Sequence, residues 1–244
     1  MTEPAAVYSV YRRRNAAVLE RLLAPALARD WTVGLWALDE PHSSLADLTA
    51  GSGPGMKFDL VNRLLEERRP NPTQPVVVAD DDAEFVRGDV ASFLETAAAA
   101  RLDLAQPAHV LRSNISHRIT WRRPLSRARL TTFVEIGPLF AVAPEWRDRI
   151  IPFPQEIGMG WGLELDWMDL RADGCRLGIV DATPIRHLSP FAAAYAADEE
   201  IAKLARLLEE RGAPGWRGLR RTLGTWRPWQ RRPPWGQAAE SSRS

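Results

Sequence analysis

Val76-Val77-Val78-Ala79 runs directly into Asp80-Asp81-Asp82. Three β-branched residues and an alanine behind Pro75 predict a strand buried on both faces, which is the pattern of a parallel sheet covered by helices on both sides. The carboxyl end of that strand is acidic, and in open α/β sheets the ligand crevice lies just beyond the carboxyl ends. If the backbone stays extended, the period of two puts Asp80 and Asp82 on one side and Asp81 on the other. Two carboxylates on one side suit a hard divalent cation, and such a cation binds a diphosphate. A solvated acidic loop that caps the next helix fits the same residues.

A chain of 244 residues can bury the core such a sheet needs, and 45% hydrophobic with 26% charged residues is a globular balance. No apolar run approaches the roughly 20 residues that span a bilayer. Met1 to Ala6 lacks a basic segment followed by an apolar core, so no secretory signal is read there. Cys175 is the single cysteine, which permits no internal disulfide and agrees with a reducing cytoplasm, the expected location. From residue 211 onward there are eight arginines and one acid, Glu240, which leaves 24 basic and 30 acidic residues before it. Lys57 and Lys203 are the only lysines. The excess of arginine over lysine reads as a bias of genome composition, so no nucleic-acid partner is inferred.

Ala6–Tyr11 and Trp31–Leu38 predict strands, joined through the Arg12-Arg13-Arg14-Asn15 turn by a helix carrying Val18, Leu19, Leu22, Leu23 and Leu27, with Pro25 able to bend it. This is a βαβ unit. Ala50-Gly51-Ser52-Gly53-Pro54-Gly55 predicts a glycine-rich loop ahead of a helix from Met56 to Leu65, where free backbone amides and Lys57 suit phosphate, although the stretch taken alone reads better as a plain connector with a solvated lysine. Asp89 is an expected N-cap for a helix through Val90, Phe93 and Leu94. Leu102–Ala108 predicts a short strand and turn, His117–Trp121 and Leu130–Ile136 predict antiparallel strands, and Pro144–Arg147 predicts a helical turn. A second glycine-rich loop, Gly158-Met159-Gly160-Trp161-Gly162, opens a helix from Leu163 to Leu170 whose early acids, Glu164 and Asp166, also satisfy the ordinary preference for negative charge at a helix start. Arg176–Asp181 predicts a strand, His187 falls in a loop, and a helix follows from Pro190 to Arg211.

Taken in order, Gly55-Met56-Lys57-Phe58 with Asn62, Val78 to Asp82, Gln106-Pro107-Ala108, Phe133-Val134-Glu135, Gly160 to Glu164, and Gly178-Ile179-Val180-Asp181 with His187 resemble GT-A fold glycosyltransferases. The likeness is to the family-2-like group and related uncharacterised bacterial and plant proteins, and it covers most of residues 7 to 190. It implies an α/β fold of Rossmann type: a mostly parallel sheet flanked by helices, with some antiparallel strands. It also implies an enzyme, a metal-dependent transferase of hexosyl type that moves a sugar from a nucleotide-sugar donor to a glycan, lipid-linked or small-molecule hydroxyl, with a place in cell-envelope glycan synthesis. Asp80 and Asp82 match the family's DxD aspartates, which hold Mn²⁺ or Mg²⁺, and His187 matches a third ligand. The acidic motif here is a triplet, so the choice of pair is open. Arg12, Asn15, Lys57, Asp80 and Asp81 fall where the fold contacts donor, and Glu164 and Asp166 compete as the base. Two other readings share these residues: a haloacid-dehalogenase-like phosphohydrolase using Asp80 and Asp82, and a non-catalytic donor-binding scaffold.

The sequence divides into an expected domain over 1–211 and a tail over 212–244. Within the tail Trp216, Arg217, Arg220, Arg221, Trp226, Arg227, Trp229, Arg231, Arg232 and Trp235 alternate with Pro and Gly. This predicts either a poorly ordered extension or a peripheral contact with the inner face of the cell membrane, since tryptophan favours the interface and arginine an anionic surface.

Overall fold

The computed structural model describes residues 4–155, 159–189, 197–213, 215 and 218–236. The strands are β1 (Ala6–Tyr11), β2 (Thr32–Ala37), β3 (Thr49–Ser52), β4 (Val76–Asp80), β5 (Ala83–Phe85), β6 (Leu104–His109), β7 (Ala128–Thr131), β8 (Leu139–Val142), β9 (Leu177–His187) and β10 (Thr222–Trp226). The helices are α1 (Ala16–Leu27), α2 (Lys57–Glu67), α3 (Val90–Ala99), α4 (Arg147–Ile150), α5 (Leu163–Asp169) and α6 (Ala197–Glu210). All strands belong to one sheet, ordered β10-β7-β9-β6-β8-β4-β1-β2-β3, with β5 beside β9. Following the pairings across it, β3, β2, β1, β4, β6, β9 and β10 point one way, while β8, β7 and β5 oppose them. The mostly parallel sheet with antiparallel additions is therefore present.

The apolar run of β4 is buried on both faces for the expected reason. Val77 and Ala79 pack into one core with Leu19, Leu23 and Ala26 of α1 and Phe93 and Leu94 of α3. Val76 and Val78 pack into the opposite core with Phe58, Val61 and Leu64 of α2 and Leu163 and Trp167 of α5. β1 alternates in the same way, with Val7 and Tyr11 on one side and Ala6 and Tyr8 on the other. At about 1.5–3 kcal/mol for each fully buried large aliphatic or aromatic side chain, these two cores dominate the folding energy. α3 starts at the predicted cap: Asp89 Oδ1 accepts from Ser92 N at 2.7 Å, and Ser92 Oγ accepts from Asp89 N at 2.8 Å.

Several expectations are corrected. His117–Trp121 is not a strand; Arg118–Thr120 form a single 3₁₀ turn. The strand expected over Leu130–Ile136 covers Ala128–Thr131 instead, and it ends where Thr131 Oγ1 donates to Phe133 O at 2.7 Å, a local bond that competes with the ladder. Part of the first glycine-rich loop, Thr49–Ser52, is the edge strand β3. His187 is the last residue of an eleven-residue strand rather than part of a loop. The expected helix start at Pro190 and the loop residue Gly158 lie outside the described residues. Nor is the chain beyond residue 212 a poorly ordered extension throughout: β10 pairs antiparallel with β7, and Trp226 is 3% exposed. The tail positions Trp216 and Arg217 lie outside the described residues.

Candidate active site

The strand directions gather the site at one end of the sheet. Arg12 follows β1, Asp80 ends β4, His109 ends β6, His187 ends β9, and Glu135 to Gly137 lead into the reversed β8. The chain order also reverses at β1, which has β2 on one side and β4 on the other, so a crevice opens between the ends of β1 and β4. A cavity of about 640 Å³ lies there, lined among others by Arg12, Asn15, Lys57, the three aspartates, Glu135, Glu164 and His187.

Asp81 and Asp82 stand in a turn after β4, so the period of two is not what pairs Asp80 with Asp82. His187 does that from the end of β9. The ligand atoms of Asp80, Asp82 and His187 all lie within 4.8 Å of one another, and His187 Nε2 is 3.2 Å from Asp82 Oδ1. That spacing approaches what ligands at about 2.0–2.3 Å from one ion allow. Asp82 also accepts from Ser189 N at 3.2 Å. Burial alone would raise the Asp82 carboxyl, but the His187 hydrogen bond and charge, with Ser189, outweigh it and bring the pKa to about 2. Burial works against a charged His187, yet the hydrogen bond and charge of Asp82, with Asp80 and Glu135, raise its pKa.

Asp81 turns away from that trio. Its Oδ2 accepts from Arg12 N at 2.6 Å and its carboxyl is hydrogen-bonded by the Asn15 side chain, so it braces the ends of β1 and β4 against each other. Burial is the main cause that lifts its pKa to about 6. Lys57, the first residue of α2, places Nζ 2.6 Å from Asp80 Oδ1 and donates to Ile136 O at 3.3 Å. Gly137 makes room for this: a Cβ there would stand 3.1 Å from Asp80 Oδ2. Asn62, part of the same sequence motif, is structural, clasping Phe153 through both its backbone groups at 2.9 Å. Asp181 is structural too, fully buried and held by Arg129 through two nitrogens at 2.8 and 3.1 Å.

The two candidate bases separate cleanly. Glu164 is 4% exposed and lines the cavity, whereas Asp166 is exposed, outside the cavity lining, and paired with Arg211 at 2.6 Å. Adjacent positions on a helix diverge by about 100°, so two residues apart they face different sides. Gly160, at φ +89°, closes the loop onto α2, where a Cβ would stand 2.1 Å from the Phe58 ring.

Ionisable groups at or near the cavity that the sequence did not single out as site residues are Glu135, His109 and His117. Glu135 is buried, and burial first, then the charge of Glu164, pushes its pKa up to about 8. His109 is buried with Nδ1 2.7 Å from Ser113 Oγ, and burial lowers its pKa to about 3. His117 lines the cavity in contact with Arg220, and burial, then that guanidinium, holds it down to about 3. The signal for Glu135 resembled that for Asp80: a polar residue directly after buried apolar ones, Phe133 and Val134, at the cavity end of the sheet.

In sequence the chain matches no family model and no curated protein. In structure it superposes on GalNAc-T7, solved with UDP, GalNAc and Mn²⁺, with a TM-score of 0.59 over 84% of this chain at 11% identity. It also superposes on residues 1–349 of Staphylococcus aureus TarS, solved with UDP-GlcNAc, with a TM-score of 0.53 over 88% of this chain at 13% identity. The chain has the GT-A fold. It spans 48% of the GalNAc-T7 chain and 68% of the TarS segment. Asp80, Asp82, His187, Glu135 and Glu164 all line the one cavity in this fold.

Proposed function

We propose that the protein is a metal-dependent glycosyltransferase that moves a hexosyl group from a nucleotide sugar to an acceptor hydroxyl. The observation that carries this reading is the convergence of Asp80, Asp82 and His187 beside a cavity of about 640 Å³ at the switch point of a GT-A sheet. A donor linked to UDP is part of this reading, supported by the UDP and UDP-GlcNAc bound in the two structural neighbours. Two carboxylates and an imidazole suit Mn²⁺ better than Mg²⁺, which prefers all-oxygen shells. A bound divalent ion would supply neutralisation of the diphosphate leaving group. Lys57 adds a fixed positive charge to the same region, and Arg12 and Arg14 line the donor side. On the opposite wall a buried carboxyl, Glu164 or Glu135, receives the acceptor proton.

The acceptor is a glycan, lipid-linked or small-molecule hydroxyl, and a role in cell-envelope synthesis on the cytoplasmic side fits a protein whose described helices include none long and apolar enough to cross a membrane. The test is a melting curve with UDP alone, Mn²⁺ alone and both, followed by UDP release from UDP-GlcNAc. A ligand at a hundred times its Kd adds about 2.7 kcal/mol of apparent stability. Stabilisation by UDP that needs Mn²⁺, with UDP release, supports the transferase. Stabilisation without release from any UDP-sugar identifies a donor-binding scaffold, and no stabilisation refutes the reading.

A further inference from the structure

Each aspartate of the trio already has a basic partner within the chain. His187 Nε2 is 3.2 Å from Asp82 Oδ1, and Lys57 Nζ is 2.6 Å from Asp80 Oδ1. The other oxygen of Asp80, Oδ2, lies against Gly137, where an added Cβ would stand 3.1 Å from it. The loop before β8 holds this second pair from both ends: Ile136 O accepts from Lys57 Nζ at 3.3 Å, and Asp80 N donates to Pro138 O at 2.7 Å. Yet the pair is not sealed in. Both residues line the cavity, with side chains 12% and 27% exposed. A lysine carries its charge on a flexible four-carbon stem, so the ammonium can turn to a new anion in the cavity while α2 stays where it is.

A divalent ion that takes Asp80, Asp82 and His187 therefore meets a resident positive charge at Asp80. It must share Oδ1 with the ammonium or displace it, and like charges beside one oxygen repel each other strongly in a partly buried site. A diphosphate reverses that balance. Its oxygens accept charge-assisted hydrogen bonds from an ammonium, and a lysine drawn to them gives Asp80 up to the ion. We propose that Lys57 couples the two ligands: in the free protein it holds Asp80 and keeps the affinity for a divalent ion low, and a diphosphate takes the ammonium and so raises that affinity. Such coupling is reciprocal, so the ion raises the affinity for diphosphate by the same factor. The proposal rests on the metal-dependent reading above and adds that the lysine opposes the ion until the diphosphate arrives. A lysine that merely orients Asp80 as an outer partner of a metal ligand would act with the opposite sign, because its loss would weaken the ion's binding.

The test measures Mn²⁺ binding, through the electron paramagnetic resonance signal of the free ion, in wild type and in Lys57→Met, which removes the charge and keeps an unbranched stem beside the Phe58 ring. Melting curves confirm folding, and Lys57→Gln takes its place if the methionine variant does not fold. Without nucleotide, Lys57→Met is expected to bind Mn²⁺ at least about tenfold more tightly than wild type, the scale on which groups behind a metal ligand act. With UDP added, and the Mn²⁺ held by UDP in a protein-free control subtracted, wild type is expected to gain affinity for Mn²⁺ and Lys57→Met to gain at least about tenfold less. Unchanged or weaker binding of Mn²⁺ alone by the variant overturns the inference, and so does a gain with UDP equal to that of wild type. Failure of the metal-dependent reading looks different: neither protein then binds Mn²⁺, with or without UDP, and the coupling falls with it.

Discussion

Asp82 is the aspartate that His187 and Ser189 address, whereas Asp80 is shared with Lys57 and Asp81 is spent on bracing β1. Asp82→Asn keeps the size of the side chain and its bond from Ser189 N but removes the charge a divalent ion needs. It is expected to weaken Mn²⁺-dependent UDP binding at least about tenfold, the low end for disturbing a metal site, while the far-UV spectrum stays that of the wild type. Calorimetry of UDP with Mn²⁺ checks this, and undiminished affinity would remove Asp82 from the site. The carboxyl wall makes a second prediction, about stability. Glu135 and Glu164 have folded pKa values near about 8 and about 7, above the ordinary 4.5, because burial penalises their charged forms. A raised folded pKa means that the native state favours the protonated form. Its contribution is full below the unfolded value and is lost as pH rises through the folded one. In chelator, the melting temperature of the wild type is therefore expected to fall between pH 6 and 9, and that of Glu135→Gln to fall less steeply. Parallel slopes would show that the Glu135 carboxyl is not desolvated.

β10 changes what the C-terminal segment is. Trp226 lies 3% exposed against Arg127, whose guanidinium is 4.2 Å from its ring centre, and Trp235 Nε1 donates to Ala100 O at 2.8 Å beyond α3. A segment read as solvated tail thus closes the edge of the sheet beside β7. Trp226→Ala is expected to cost about 3–5 kcal/mol, the range for emptying a buried aromatic site, in denaturant unfolding. A change under about 1 kcal/mol would return the segment to the status of an appendage. Removal of everything after Gly212 should lower the melting temperature as well, because β7 then becomes an exposed edge. A contact of this segment with an anionic membrane is a prediction, and this edge is the surface it would use. Leu125 at 63% and Trp229 at 68% exposed are joined through Arg227, which donates to Leu125 O at 3.4 Å and lies 5.9 Å from the Trp229 ring. We expect the full chain to sediment with anionic liposomes at low salt, and Leu125→Ser with Trp229→Ser to reduce that by at least about tenfold, since both the interfacial rings and the arginine charges contribute. Equal sedimentation of the variant would remove the edge from membrane binding.

At the level of the molecule, one end of one sheet carries the candidate site, and a packed core lies on each face of that sheet. The sequence by itself determined the buried strand at Val76 and its acidic end, because a run of β-branched residues followed by carboxylates has few other places in a fold. It also determined the βαβ entry, the Asp89 cap and the helix that begins at Leu163, since periodicity and capping are local. Lys57, Asp80 and Asp82 were legible as candidates because they stand at or just past the end of an element, whereas His187, read as a loop residue, was picked out only through the family resemblance. Only the tertiary structure decided how they meet. The turn after Asp80, the full length of β9 and the fold of the 135–137 loop over Asp80 are set by contacts between residues far apart in the chain. Those contacts separated Glu164 from Asp166, turned Asp81 into a brace, drew Arg220 to His117 and left Glu135 facing the cavity. Register and side-chain direction depend on which strands become neighbours, and no local pattern encodes the neighbour.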